Sequence, residues 1–268
     1  MVIPGRCGMK QAVRRKVSVI RKWICFLLVL LFACCLSAAQ AELKIAFLDV
    51  GQGDAIVLMC SGEAVLIDAG PADAGPAVSQ YLRENIESGE LKAVIATHVH
   101  DDHLGGMPAA LSGMNVRTVY TSPTIPLLYW FNTIQPVLLQ SGLDTVTPAR
   151  GDTLTVGDAI ITFMNTDDPT LTVNNRSTVL RVDYGNTSFL LMGDAEGDEE
   201  TELLTSELDL RADVLKLGHH GGIGSTGNAF LNAVSPEYAI ISVGANNDHG
   251  HPAAETLALL ETHGIQTC

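Results

Sequence analysis

Apolar positions along this chain fall into two periods. Short apolar and β-branched runs bounded by glycine or polar turns occur at 44–50, 55–59, 64–67, 92–97, 117–121, 160–163, 178–183, 188–192, 213–217 and 239–243, and each predicts a β-strand. Helical spacing instead marks 77–88, 104–111, 127–139, 199–207, 230–234 and 254–263. Pro136 lies inside the third of these, where a missing N–H and a ring clash with the preceding turn predict a kink or a stop. Early strands follow one another through glycine-containing turns such as 51–53 and 61–62, whereas later ones alternate with helices, so the sheets should be mixed. On pattern alone the chain is α/β or α+β.

The first 41 residues change the compartment. They carry Arg6, Lys10, Arg14, Arg15, Lys16, Arg21 and Lys22 and no acid, then an apolar run at 23–36, then Ala39-Gln40-Ala41. This order predicts a signal peptide over 1–41, cleaved after Ala41 to leave a domain over 42–268. The apolar run falls short of the roughly 20 residues a spanning helix needs, so no stable membrane span is expected after cleavage. A looser lipoprotein-like box at 31–34 offers lipid anchoring as the alternative. Without the leader, nine Lys and Arg face thirty Asp and Glu, a formal balance of -21 against -14 for the whole chain. Such a surface does not draw polyanions, and no basic run with interleaved aromatics exists, so tight nucleic-acid binding without metal ions is disfavoured. Only Cys60 and Cys268 remain beyond the leader; a buried thiol at Cys60 is favoured over a disulfide. Nothing in the pattern assigns an oligomeric state.

The chemistry concentrates in residues 98–103, which read HVHDDH. One histidine there would be an ordinary polar loop residue, but His98, His100, Asp102 and His103 put three imidazoles and a carboxylate within six residues. A short loop can fold the first two rings around one cation while the Asp-His pair reaches a second, and such donors suit zinc or manganese. The preceding run at 91–97 places the cluster at the C-terminal end of a strand, where α/β folds hold ligands.

Residues 97–106, THVHDDHLGG, resemble the H-x-H-x-D-H signature of the metallo-β-lactamase superfamily. FLDVGQGDAIVL at 47–58, LIDAG at 66–70, LLMGD at 190–194, LKLGHHGG at 215–222 and GHP at 250–252 follow in an order that resembles the hydrolase-like domain of ComEC-type DNA-uptake proteins. The resemblance covers about 44–264 and implies an αββα sandwich of two mixed sheets holding two divalent ions, zinc or manganese. It makes His98, His100, Asp102 and His103 ligands, Asp194 the bridging carboxylate, and one of His219 and His220 the ligand that completes the second ion, with His219 favoured. Asp68 is expected beneath the site, fixing a ligand histidine, and His251 either against substrate or in a plain loop. Glu196, Asp198, Glu199, Glu200 and Glu202 are read as a solvated helix start. Many superfamily members carry a further histidine ahead of the bridging aspartate; residues 174–178 here read NNRST, so water, Asn174 or Asn175 would serve the first ion.

The implied activity is a secreted metal-dependent hydrolase, a phosphodiesterase or nuclease that meets nucleic acid only through its metals. Hydrolysis of a cell-wall phosphoester, lactone or β-lactam on the same site is the enzymatic alternative, and a non-catalytic binding module the other. Ser177, Ser225 and the cysteines receive no catalytic role. The family usually continues past 264–268 with further strands, so an incomplete sheet edge, less stable and prone to associate, is expected. The exported protein is expected to begin at Glu42, which N-terminal sequencing of extracytoplasmic protein checks; lipid on Cys34 would replace secretion with anchoring.

Overall fold

Strands β2 (Ile56–Cys60), β3 (Glu63–Ile67) and β4 (Glu90–Ala96) are apolar on successive residues because both of their faces are covered. Ile56, Leu58, Cys60, Val65, Ile67, Ala93 and Ile95 point to one buried layer, while Val57, Ala64, Leu66, Leu91, Val94 and Ala96 point to another. A strand alternates its side chains between faces, so two apolar sets from one strand require two cores. The computed structural model describes residues 42–268 apart from 141 and 167; the expected leader lies outside the described residues.

Six strands form the first sheet in the order β1-β2-β3-β4-β5-β6, with β1 at Lys44–Phe47, β5 at Asn115–Thr121 and β6 at Asp144–Val146. Seven form the second, ordered β13-β12-β11-β10-β9-β8-β7. These are β7 (Thr153–Val156), β8 (Ala159–Phe163), β9 (Leu180–Tyr184), β10 (Thr187–Leu191), β11 (Val214–Lys216), β12 (Tyr238–Ile240) and β13 (Gln266–Thr267). Each sheet starts antiparallel and ends parallel: β1-β2-β3 then β3-β4-β5-β6 in one, β7-β8-β9-β10 then β10-β11-β12-β13 in the other. The expected mixed αββα sandwich is therefore the fold. Leu154, Val156, Ile161, Phe163, Leu180, Val182 and Leu191 of the second sheet close the layer between the sheets.

Helices cover both outer faces. Helix α1 (Gly75–Asn85) buries Val78 and Leu82 against the first sheet, with α2 (Asp101–Leu104) and α3 (Met107–Ala110) beside it. The expected continuous helix at 104–111 is thus two single turns. At 127–139 the departure is larger, since α4 (Leu127–Tyr129) runs into a π-turn at Trp130–Ile134 and a 3₁₀ turn at Gln135–Val137. Trp130 and Ile134 are buried there while Leu127, Leu128 and Phe131 face water, so tertiary packing of two residues holds a segment that Pro136 denies a regular helix. Helices α5 (Gly197–Thr205), α6 (Asn228–Val234) and α7 (Ala254–Thr262) cover the second sheet through Leu203, Phe230, Leu231, Val234 and Leu260. No helix among the described residues is long and apolar enough to cross a membrane. Cys60 is a buried free thiol and Cys268 an exposed one.

Parallel registers bring strand ends together. Ile67 pairs with Ile95, which sets Asp68 beside 96–98, and Leu191 pairs with Lys216, which sets 192–194 beside 217–220. Phe163, fully buried with its ring centroid 4.9 Å from that of Tyr120, fills the space between the sheets. Phe163→Ala is expected to cost about 3–5 kcal/mol, measured as a drop in denaturant midpoint without a change in slope.

Candidate metal centre

The ligand segment begins where β4 ends. Thr97, His98 and Val99 lead from the strand to His100, which is extended at φ -69° and ψ 150°, and α2 then starts at Asp101. This bend turns His98 and His103 inward with no exposure, while His100 stays open to water. From the second sheet, Gly193 (φ +54°) follows β10 and aims Asp194 at the same point. A Cβ on Gly193 would lie 3.1 Å from Ser177 Cβ and 3.2 Å from Thr97 Cβ, so glycine permits both the turn and the close approach of the sheets.

Asp194 stands between two sets of donors. Its Oδ2 is 3.5 Å from His98 Nε2, and its Oδ1 is 3.1 Å from His103 Nε2 and 3.3 Å from His220 Nε2. His220 Nε2 is also 3.2 Å from Asp102 Oδ2. Two overlapping groups result, Asp102, His103, Asp194 and His220 in one and His98, His100 and Asp194 in the other, each with one ligand atom per residue within 4.8 Å of the rest. His103 Nε2, His220 Nε2 and Asp194 Oδ1 are buried without a hydrogen-bond partner. Buried polar atoms are normally satisfied, so convergent orphans of this chemistry fit a cation.

Three rings are aimed through their other nitrogen. His103 Nδ1 donates to Asp68 Oδ2 at 2.7 Å, and His220 Nδ1 donates to the Ser242 carbonyl at 2.9 Å. Thr97 Oγ1 donates to Asp68 Oδ2 at 2.6 Å and lies 3.1 Å from His98 Nδ1, so it accepts from that ring. Asp68 Oδ1 also accepts the Thr97 N–H at 2.8 Å. Each arrangement points the ring's Nε2 toward Asp194. Fully buried Asp68 thus stands where the sequence reading expected it.

The histidine pair departs from expectation. His220 joins the cluster, whereas His219 Nδ1 sits 2.6 Å from Glu196 Oε1 and His219 Nε2 sits 3.4 Å from Asn174 Nδ2, at the rim. The preference for His219 rested on the resemblance, which matches Gly218-His219 to the family's glycine-histidine step. Both residues are left-handed, His219 at φ 45° and His220 at φ 55°, inside a 3₁₀ turn over Gly218–Gly221 that swings the second ring inward. His251 is outside both groups but near them, its ring centroid 4.9 Å from that of His219 and 6.2 Å from that of His220. Asn175 is committed elsewhere, since its Oδ1 accepts the N–H groups of Glu196 and Glu199.

Two further features escaped the sequence reading. Glu199 and Glu200, expected in water, are buried: Glu199 Oε1 accepts the Thr166 N–H at 2.9 Å, and Glu200 accepts from Thr226 and Gly227. They fasten the loops that flank the site to α5. The second feature is an ion pair between Asp54 and Lys216, 2.8 Å apart and buried on both sides. Ser177 and Ser225 serve the backbone, Ser177 Oγ accepting from the Asp194 N–H and Ser225 Oγ donating to the Gly218 and Gly222 carbonyls.

Charge coupling is strong in the metal-free protein. Burial opposes a charged His103, yet Asp194 and Asp68 outweigh it and hold its pKa well above the ordinary value of 6.5. Burial would raise Asp194, but His103, His98 and His220 hold it well below 3.8, and His220 and His103 bring Asp102 down to about 2 against the same opposing burial. His98 is lowered, by burial first and by His103 second.

A family model, the metallo-beta-lactamase superfamily, matches residues 48–245. ComE operon protein 3 of Bacillus subtilis (strain 168) is 32% identical over 265 residues, spanning 90% of this chain and 33% of that protein. Competence protein ComA of Neisseria gonorrhoeae is 42% identical over 94 residues, 35% of this chain and 14% of that one. The chain therefore spans a third or less of the curated relatives' own lengths. Among solved structures, the metallo-beta-lactamase fold protein YhfI of Bacillus subtilis superposes with a TM-score of 0.56 at 14% identity, over 84% of this chain and 95% of that one.

Because His103 is raised, its charged form stabilises the metal-free fold below the unfolded value near 6.5, and that contribution is lost as pH rises through the raised pKa. The lowered Asp102 and Asp194 act oppositely, stabilising above 3.8 and failing as pH falls through their folded values. Adding zinc or manganese at neutral pH must displace the His103 proton, so calorimetry in buffers of different ionisation enthalpy should show net proton release, with metal affinity falling as pH falls. A His103→Ala variant should lose that release.

Proposed function

This chain belongs to the metallo-beta-lactamase superfamily of metal-dependent hydrolases, and on that premise we propose that it is an exported binuclear phosphodiesterase or nuclease. One observation carries the reading: the two oxygens of buried Asp194 face separate histidine sets, Oδ2 toward His98 and Oδ1 toward His103 and His220. In this reading His98 and His100 would hold one zinc or manganese ion and Asp102, His103 and His220 the other, with Asp194 serving both sets. The bound pair supplies Lewis acidity and an activated water.

The chain's own groups do the rest. Asp68, Thr97 and the Ser242 carbonyl each accept an Nδ1 hydrogen and so aim three Nε2 atoms at the centre. His219, held between Glu196 and Asn174, shapes the rim, and the His251 ring beside it can meet the oxygens of a phosphodiester. The acidic surface supports a substrate gripped through cations, because a domain at -21 offers polyanions little attraction of its own. The resemblance to proteins named for competence supports nucleic acid as the phosphodiester. The leader composition supports export.

Purified protein exposed to manganese or zinc is expected to carry about two ions per chain and to hydrolyse bis(p-nitrophenyl) phosphate and single-stranded DNA. Asp194→Ala should lower both metal content and hydrolysis, the latter at least about 100-fold, while circular dichroism stays native. His220→Ala should remove metal, and His219→Ala should keep metal while weakening substrate binding. No bound metal by elemental analysis, or cleavage of lactones or β-lactams in preference to phosphodiesters, would sink this reading.

A further inference from the structure

The ligands come from two parts of the chain that share no sheet. His98, His100, Asp102 and His103 follow β4 of the first sheet, while Asp194 and His220 follow β10 and β11 of the second. Asp102 Oδ2 and His220 Nε2 must nevertheless stay 3.2 Å apart across that divide. Behind the ligands, a buried lysine–carboxylate pair also spans it. Lys216 Nζ lies 2.8 Å from Asp54 Oδ2, with the two side chains 1% and 2% exposed.

Both partners are fastened on their own side. Lys216 ends β11, four residues before His220, and its ammonium also donates to the Leu217 carbonyl at 2.9 Å. Asp54 is tied to the ligand loop through its backbone, because its N–H donates to the Asp102 carbonyl at 3.2 Å and its carbonyl accepts the Gly70 N–H at 2.8 Å. The preceding Gly53 (φ +125°) lets the two segments touch: a Cβ there would lie 2.0 Å from the Asp102 carbonyl oxygen. Asp54 Oδ1, meanwhile, has no hydrogen-bond partner and sits 3.8 Å from His220 Nδ1. Contacts thus run from the Asp102 carbonyl through Asp54 and Lys216 to the turn that carries His220.

Stability does not account for this pair. Removing two charges from water costs more than their attraction commonly returns, and well-packed apolar residues in their place are often as stable or more so. We propose that Asp54 and Lys216 are positioning residues that set the spacing between Asp102 and His220, and thereby the affinity of the second metal ion. This rests on the binuclear reading above. Neither residue is a ligand; they act through the loop and the turn they hold.

Thermal unfolding of metal-free full chain, paired with chelator competition using zinc or manganese, tests the proposal on three variants. The double variant Asp54→Leu with Lys216→Met should unfold near the wild-type temperature yet bind the second equivalent about 10–100-fold more weakly, as for other groups that orient ligands from behind. Asp54→Asn, which keeps an acceptor for Lys216 in place, should retain both equivalents. Lys216→Arg keeps the charge but moves it, so it should lose at least about tenfold in second-site affinity and gives the same reading if the double variant does not fold. Wild-type affinity for both equivalents in the double variant or in Lys216→Arg, or an Asp54→Asn variant as weak as the double, overturns the pair's role. A wild-type chain that binds no metal overturns the binuclear reading itself.

Discussion

A carboxylate and three imidazoles converge in a space closed to water, and each ring must present a lone pair rather than a proton. Left alone, such a cluster would collapse into salt bridges, and the metal-free protein shows that tendency in the raised His103 and the depressed Asp194. What prevents collapse is the layer behind the rings. Asp68 takes the His103 Nδ1 proton and the Thr97 hydroxyl proton, Thr97 in turn meets His98, and the Ser242 carbonyl takes the His220 Nδ1 proton. Because those partners belong to strand ends, the orientation of the rings depends on the sheets as a whole.

The sandwich supplies this by its symmetry of pairing. In both sheets the parallel half ends at the site, so the loops after β3 and β4 meet those after β10, β11 and β12. Parallel strands carry their C-terminal ends to one edge, and the polar loops gather there while the apolar runs stay between layers. Glycines at positive φ, Gly53 and Gly193 above all, let the opposing loops approach within contact distance. Buried Glu199 and Glu200 do comparable work at the rim, where each receives backbone N–H groups from a loop that would otherwise lack partners.

How much of this was legible in the sequence follows from how local each signal is. HVHDDH is contiguous, so its donors could be read from spacing, and most core strands showed as apolar runs because both faces are buried. Weak strands such as β6 and β7 escaped, since one of their faces is exposed and their sequences, DTV and TLTV, carry few apolar residues. Which of His219 and His220 turns inward depends on two consecutive left-handed residues, a conformation that histidine adopts more often than most residues but that is too rare to be read from the sequence. Asp54 and Lys216 are 162 positions apart, and each alone reads as an ordinary loop acid and an ordinary strand lysine. Glu199 and Glu200 were masked by their place at a helix start, where an acid needs no other explanation.

The acidic surface and the buried site form one electrostatic argument. Asp102 and Asp194 at the centre, with Asp68 and Asp54 behind, put four carboxylates within a few ångströms of three buried rings, and the only ammonium among them, Lys216, is spent on Asp54. In the proposed reading such a centre repels a phosphate until divalent charge is added, and then attracts it. Metal occupancy and substrate access would thereby be coupled: the same deficit of positive charge that lets the site take up cations would keep an anionic substrate away until they are in place. A basic groove would bind nucleic acid whether or not the centre could act on it. An acidic one would confine productive binding to the loaded site.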